Sequence, residues 1–249
     1  MTLRGAAPLV IAHRGASGDR PENTLPAFEE AIAQGADMIE TDLHLSRDGV
    51  IVIHHDAALE RLGESGEIGS RTAAELAALD AAPGAETVER IPTLLDVLEG
   101  FADRIAWNLE LKVGLEAPYE GIEGKVLTEV EARGSLGRIL FSCFDDGVLA
   151  RLRARAPEAR LGVLVSPRAP DDVFGRADRV SAEAIHPHTM LVHAALVRGA
   201  HDRGLAVYPY TANDPAEMTR LLDLGVDGVI TNHPRVLADL VVTRESAGG

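Results

Sequence analysis

Residues 38–56 read MIETDLHLSRDGVIVIHHD and set Glu40, Asp42, Asp56 and three histidines, His44, His54 and His55, among strongly β-forming neighbours. Burying such charge is expensive unless it is paired or bound to a metal. The stretch is therefore a wet surface or the floor of an active site, and alternation decides between them. Glu40, Asp42 and His44 share one parity, while Ile39, Thr41, Leu43 and Leu45 share the other, the two-residue period of a strand. A barrel strand would pack the apolar set under helices and turn the polar set inward at the mouth. The next polar-bearing strand repeats the device, with Asn108, Glu110 and Lys112 on one parity and Trp107, Leu109, Leu111 and Val113 on the other. Two neighbouring strands thus deliver Glu40, Asp42 and Glu110 to one space. Carboxylates crowded in this way raise one another's pKa unless a cation joins them, and all-oxygen ligation suits Mg²⁺ or Ca²⁺.

Between the two halves of the stretch lies Asp48-Gly49, a strong hairpin signal because glycine accepts the positive φ of a type I′ turn. A two-residue turn centred there sets Arg47 opposite Val50, Leu45 opposite Val52, Leu43 opposite His54, and Asp42 opposite His55. Opposed residues project from one face. This register predicts His55 beside Asp42 and Glu40, and His54 beside Leu43.

Outward from this segment, β-rich runs alternate with helical patterns along the chain. The runs are 9–13, 38–45, 105–113, 139–144, 160–165, 182–188, 205–212 and 227–232. Helix-like stretches such as TLPAFEEAIAQG, TLLDVLEGFA and PAEMTRLLDLG separate them, and most end in Gly or Pro. Such alternation with short connections implies right-handed βαβ units and a parallel sheet. Eight units make an α/β fold of the (β/α)8 TIM-barrel type, with an open doubly wound sheet as the competing arrangement. Residues 57–92, rich in Gly, Ala and Glu, carry no strand of their own and read as a small insertion at the barrel mouth. The whole, 1–249, reads as a single domain.

The 249 residues are a normal length for such a barrel, and the 46% hydrophobic content supplies a sizeable core. A net charge of −15 argues against nucleic acid or an anionic membrane as a partner. An anionic substrate would need local positive charge, which a metal provides. The single cysteine, Cys143, excludes an internal disulfide. No stretch approaches the roughly 20 apolar residues of a membrane span, and no signal-like leader opens the sequence, so a cytoplasmic protein without stable membrane insertion is expected.

The first strand runs into HRGASGDRPENT, residues 13–24. His13 and Arg14 stand at a strand end, Gly15 and Gly18 free the backbone to turn, and Asn23 or Thr24 caps the following helix. A glycine-bearing loop at a helix N-terminus beside an arginine suits an anionic oxygen group. Active groups on such barrels lie at the C-terminal strand ends. His13, Glu40, Asp42 and Glu110 all fall there.

At this point the chain resembles the glycerophosphodiester phosphodiesterase family, over nearly its whole length. The resemblance rests on HRGASGDRPENT (13–24), IETDLHLSRDGVIVIHHD (39–56), NLELK (108–112), FSCFD (141–145), YTAN (210–213) and DGVITNHP (227–234), the first three being highly specific together. It implies a (β/α)8 barrel with an insertion after the second-strand hairpin. It also implies catalytic histidines at His13 and His55, metal carboxylates at Glu40, Asp42 and Glu110, and phosphate-binding cations at Arg14 and Lys112. The implied reaction is metal-dependent hydrolysis of a small-molecule glycerophosphodiester to glycerol 3-phosphate and an alcohol, through a cyclic phosphate formed by the neighbouring hydroxyl. A lysophospholipase D-like activity and a non-catalytic phosphate-binding barrel are the alternatives. The family often has Trp where Tyr210 stands, Asp where Asn232 stands, and Arg-Thr-Thr where Arg61-Leu62-Gly63 stands. These departures border the mouth and bear on substrate shape. His44 and His54 are expected to be structural, His186 and His188 to mark a strand terminus, and Asn232 and His233 to reach the mouth. Tyr210 and Phe144 are expected to flank the substrate, and Cys143 to be a small core residue.

Overall fold

The computed structural model describes residues 7–248. The chain runs β1 (Leu9–His13), α1 (Leu25–Ala33), β2 (Met38–Leu45), β3 (Ile51–Ile53), α2 (Ala73–Ala77), α3 (Leu94–Phe101), β4 (Ala106–Leu111) and α4 (Ile122–Glu131). It continues through β5 (Ile139–Cys143), α5 (Asp146–Arg155), β6 (Arg160–Val165), α6 (Val173–Val180), β7 (Ala184–Pro187), α7 (Ala194–His201), β8 (Ala206–Val207), α8 (Pro215–Asp223), β9 (Gly228–Thr231) and α9 (Pro234–Gly248). Every strand except β3 pairs parallel with its neighbours, in the order β8-β7-β6-β5-β4-β2-β1-β9.

Closure rules out the open doubly wound sheet. β8 keeps only two residues of regular ladder, where a run over 205–212 was expected, because Pro209 cannot donate to it. The chain still bridges to β9: Asp227 N–H donates to the Val207 carbonyl at 3.1 Å, Ile230 N–H to Pro209 at 2.9 Å, and Ala212 N–H to Ile230 at 3.0 Å. With β1 paired to β9, the eight parallel strands form a nearly closed barrel.

Alternation then sorts the side chains as the strand period demands. Val10, Ala12, Ile39, Leu43, Trp107, Leu109, Phe141 and Val163 point outward into the layer beneath the helices. There Phe28 of α1, Phe101 of α3 and Trp107 meet edge to face at 5.1–6.3 Å. Inside the barrel, Ile11, Met38, Leu140, Ala184, Tyr208 and Ile230 fill an apolar plug. Polar residues follow toward the C-terminal strand ends. The barrel interior therefore changes from apolar plug to ionised mouth along its axis.

The hairpin differs from expectation by one residue. Leu43 pairs with Ile53, His44 with Val52 and Leu45 with Ile51. The turn is a three-residue loop, Arg47-Asp48-Gly49, closed by Ser46 N–H to the Val50 carbonyl at 2.9 Å, with Gly49 at φ +84°. That is the type I turn followed by a left-handed glycine, the next commonest hairpin after the two-residue kind. The expected pairings of Leu43 with His54 and Asp42 with His55 are thus incorrect. Residues 57–92 hold short helical turns and α2, and with Val52 they bury their own cluster of Leu59, Ile68, Leu76 and Ile91.

Candidate active site

Register places the chemistry. His13 lies opposite Glu40, Glu40 opposite Asn108, and Asp42 opposite Glu110 on three adjacent strands. Oxygens of Glu40, Asp42 and Glu110 come within 4.8 Å of one another, all three side chains being buried. The donor set is all oxygen, which fits a hard divalent cation. Electrostatics argues the same way. Burial, then the charges of Asp42 and Glu110, push the Glu40 carboxyl well above the usual carboxylate range, and burial and Asp42 raise Glu110 as well. Burial would raise Asp42 too, but Lys112 and Arg14 beside it hold it far below. A centre with two carboxyls displaced upward is short of positive charge.

Two cations already stand there. Lys112 Nζ lies 2.6 Å from Glu110 Oε1 and 2.9 Å from Asp42 Oδ1. Arg14 Nε lies 3.2 Å from Asp42 Oδ2, and its Nη1 donates to Glu22 Oε2 at 2.9 Å. Arg14 owes its place to a sharp turn, with φ +57° at Arg14 and +83° at Gly15. A Cβ on Gly15 would sit 2.6 Å from the Ala27 carbonyl carbon, so the loop closes on α1 only through glycine. Thr24 caps α1, its hydroxyl accepting from Ala27 N–H. Asn23, with φ +59°, instead donates to Asp42 Oδ2 at 2.8 Å and accepts from Thr41 Oγ at 2.7 Å.

The histidines have unlike partners. His13 Nδ1 donates to the Asn232 side-chain oxygen at 2.7 Å, which leaves Nε2 unprotonated and 4.0 Å from Glu40. Burial, with Arg14 alongside, lowers its pKa to about 4. His55 Nδ1 donates to Asp56 Oδ1 at 2.7 Å, and Arg61 bridges Asp56 to Glu22 at 3.1 Å each. Burial lowers His55 as well, opposed by Asp42 and assisted by Lys112 and Arg14.

His13, Arg14, Glu40, His55, Glu110 and Lys112 line one cavity of about 290 Å³, with Asn108, Ser142, Phe144, His188 and Tyr210 around them. Asp42 sits behind Lys112 and Arg14, within the carboxylate cluster but off the cavity wall. All seven candidate residues therefore converge. His55 reaches the cavity for a reason other than strand parity, because the ladder ends at Ile53 and the chain turns out of it. His54 faces the insertion side, and its Nε2 is buried without a hydrogen-bond partner among the described residues. His44 is supporting: Nδ1 meets Tyr119 Oη at 2.8 Å and Nε2 meets the His55 carbonyl at 3.2 Å. His186 is fully buried in mid-barrel against Tyr208, and His188 lines the mouth beside Tyr210. Cys143 is a buried core residue whose thiol burial pushes up to about 12. Sequence reasoning missed Glu22 and Asp56 as links between cations and imidazole, and Asn23 and Asn232 as side-chain anchors. The signal available was membership: each lies within a quoted motif, Glu22 and Asn23 in 13–24, Asp56 in 39–56 and Asn232 in 227–234.

Known proteins resemble this chain in sequence and in fold. The Glycerophosphoryl diester phosphodiesterase family model matches residues 13–236. A glycerophosphodiester phosphodiesterase of Caldanaerobacter subterraneus subsp. tengcongensis is 36% identical over 94% of this chain and 97% of its own. An Oleispira antarctica phosphodiesterase, solved with the product sn-glycerol-3-phosphate, superposes with TM-score 0.83 at 33% identity, covering 98% of this chain and 100% of that one. A glycerophosphodiester phosphodiesterase of Agrobacterium tumefaciens gives TM-score 0.79 at 26% identity over 92% and 98% of the two chains. With a matched profile across almost its full length and a barrel that superposes end to end, the chain belongs to the glycerophosphoryl diester phosphodiesterase family.

Proposed function

We propose that this protein hydrolyses small-molecule glycerophosphodiesters to glycerol 3-phosphate and an alcohol. Glu40, Asp42 and Glu110 would hold a divalent cation, Mg²⁺ or Ca²⁺, Arg14 and Lys112 the phosphate, while His13 and His55 move protons. One observation carries the reading: three carboxylates, two cations and two imidazoles with different partners meet at one barrel mouth. The product bound by the Oleispira relative supports the same substrate class. Arg61, at the start of the insertion, ties Asp56 to Glu22 and so makes residues 57–92 part of one catalytic unit in this reading. Action in the cytoplasm belongs to the proposal; among the described residues, no helix is long and apolar enough to cross a membrane.

Their partners support an order of action for the two histidines. Asn232 is uncharged and accepts the Nδ1 proton, so His13 presents a free Nε2 and acts first as base. Asp56 is a carboxylate and stabilises the imidazolium of His55, which acts first as acid. His13 takes the proton of the glycerol hydroxyl next to the ester, and that oxygen attacks phosphorus. The bond from phosphorus to the alcohol oxygen breaks, and His55 returns a proton to that oxygen. In the second half His55 takes a proton from water, the new hydroxyl opens the cyclic phosphate, and His13 protonates the released glycerol oxygen. Arg14 and Lys112 neutralise the non-bridging oxygens throughout. The cation, when bound, adds Lewis-acid stabilisation of the same charge.

Incubation with glycerophosphocholine tests the reading. Glycerol 3-phosphate and choline should appear, vanish with EDTA and return with Mg²⁺ or Ca²⁺. Tight binding without product, or release of choline from lysophosphatidylcholine alone, would overturn it.

A further inference from the structure

The catalytic cavity has a second arm. A groove of about 420 Å³ shares His55, Glu110, Lys112 and Phe144 with it and then runs over Ala57, Val113, Leu115 and Cys143. Val113, Leu115 and Phe144 are 45%, 67% and 44% exposed. Single exposed apolar side chains are ordinary, whereas three on one groove opening from a reacting centre mark a surface meant to be covered. The loop that carries Val113 and Leu115 is anchored. Leu115 N–H donates to Glu67 Oε2 at 2.8 Å, and Tyr119 is bonded to His44. Val113 and Leu115 are thus held outward by a pinned backbone.

His55 stands at the junction and lines both spaces. In the function proposed above it protonates the departing oxygen, so the body of the alcohol lies on its side of the phosphate. We infer that this groove receives the leaving alcohol and selects alcohols with an apolar chain over those with a cationic head. The inference rests on the phosphodiesterase reading of the catalytic cavity. A cationic head would want a carboxylate, and each one bordering the groove is engaged. Asp56 is bonded to His55 and Arg61, Glu110 to Lys112, and Asp145 to the N–H groups of Gly147 and Val148.

The test is a series of glycerophosphate esters of straight-chain alcohols, ethyl to octyl, with glycerophosphocholine and a 1-acyl ethyl ester beside them. Full burial of a methylene is worth nearly fourfold in affinity, so on this half-open groove kcat/KM should climb about two- to threefold per methylene before levelling. Leu115→Asp and Val113→Asn should lower the octyl ester at least tenfold more than the ethyl ester, a ratio that cancels any loss of folded protein. Turnover of the ethyl ester with no dependence on chain length overturns the inference while leaving the phosphodiesterase reading intact. Preference for glycerophosphocholine over every alkyl ester, or a gain that follows the acyl chain on glycerol, does the same. No turnover of any ester removes both.

Discussion

His13 and His55 carry one ring chemistry but meet different neighbouring groups, an amide in one case and a carboxylate in the other, and in the proposed reaction that difference makes one the base and the other the acid. General acid–base groups of this kind contribute about 10²–10⁴-fold. His13→Ala and His55→Ala should each lower kcat by that order with an unchanged circular dichroism spectrum; near-normal kcat in either would refute its role. Asn232→Asp sharpens the point. An anionic partner favours the imidazolium, raising the His13 pKa, so the acidic limb of kcat/KM should move about one unit to higher pH. Measured pH–rate profiles showing no shift would mean that Asn232 only packs. Much of this scale was legible in the sequence, because parity alone aimed Glu40, Asp42 and Glu110 inward. The choice of His55 over His54 named the histidine that lines the cavity, though from a wrong register. The bonding partners of Glu22, Asn23, Asp56 and Asn232 stayed hidden because they are individual side-chain contacts, which no periodicity records.

At the scale of elements, strand and helix positions followed from alternation, and β1, β2 and β6 occupy the residues expected. The misreadings fall where backbone chemistry overrides side-chain pattern. Asp-Gly fits both two- and three-residue hairpin loops, and the pairing of Ser46 with Val50, with Gly49 but not Asp48 at positive φ, distinguishes them. β8 is clipped where Pro209 withholds a donor, though the apolar pattern of LAVYPYTA continues. The β1–α1 turn shows how tightly an element can constrain the site. Gly15→Ala puts a methyl against Ala27 backbone at a φ of +83°. The cost should be about 2–4 kcal/mol, more than the conformational penalty alone, with a Tm lower by roughly 5–10 °C. Because Arg14 adjoins the turn, surviving folded protein should also show a raised KM. A Tm within 1 °C of the parent, on this ~1 kcal/mol scale, would contradict the packing argument.

Across the whole molecule, the barrel interior passes from an apolar plug to a charged mouth, with His186 between them. Burial lowers the His186 pKa to about 3. The unfolded chain takes up a proton near pH 6.5 while the folded chain does not. Stability from this residue is therefore complete above pH 6.5, falls as pH drops through the window down to about 3, and levels below it. Urea unfolding at pH 7 and pH 4.5 should show His186→Gln losing less stability between the two than the parent; equal losses would contradict the buried, neutral assignment. At the other end of the axis, the carboxylate cluster is the centre on which the proposed reaction depends. Calorimetric titration of metal-stripped protein with Mg²⁺ and Ca²⁺, run alongside turnover of the same samples, tests it most directly. The account predicts binding of one ion that restores glycerophosphodiester hydrolysis in step with occupancy, and loss of both in Asp42→Asn. Undiminished turnover by the stripped protein, or by that variant, would contradict it.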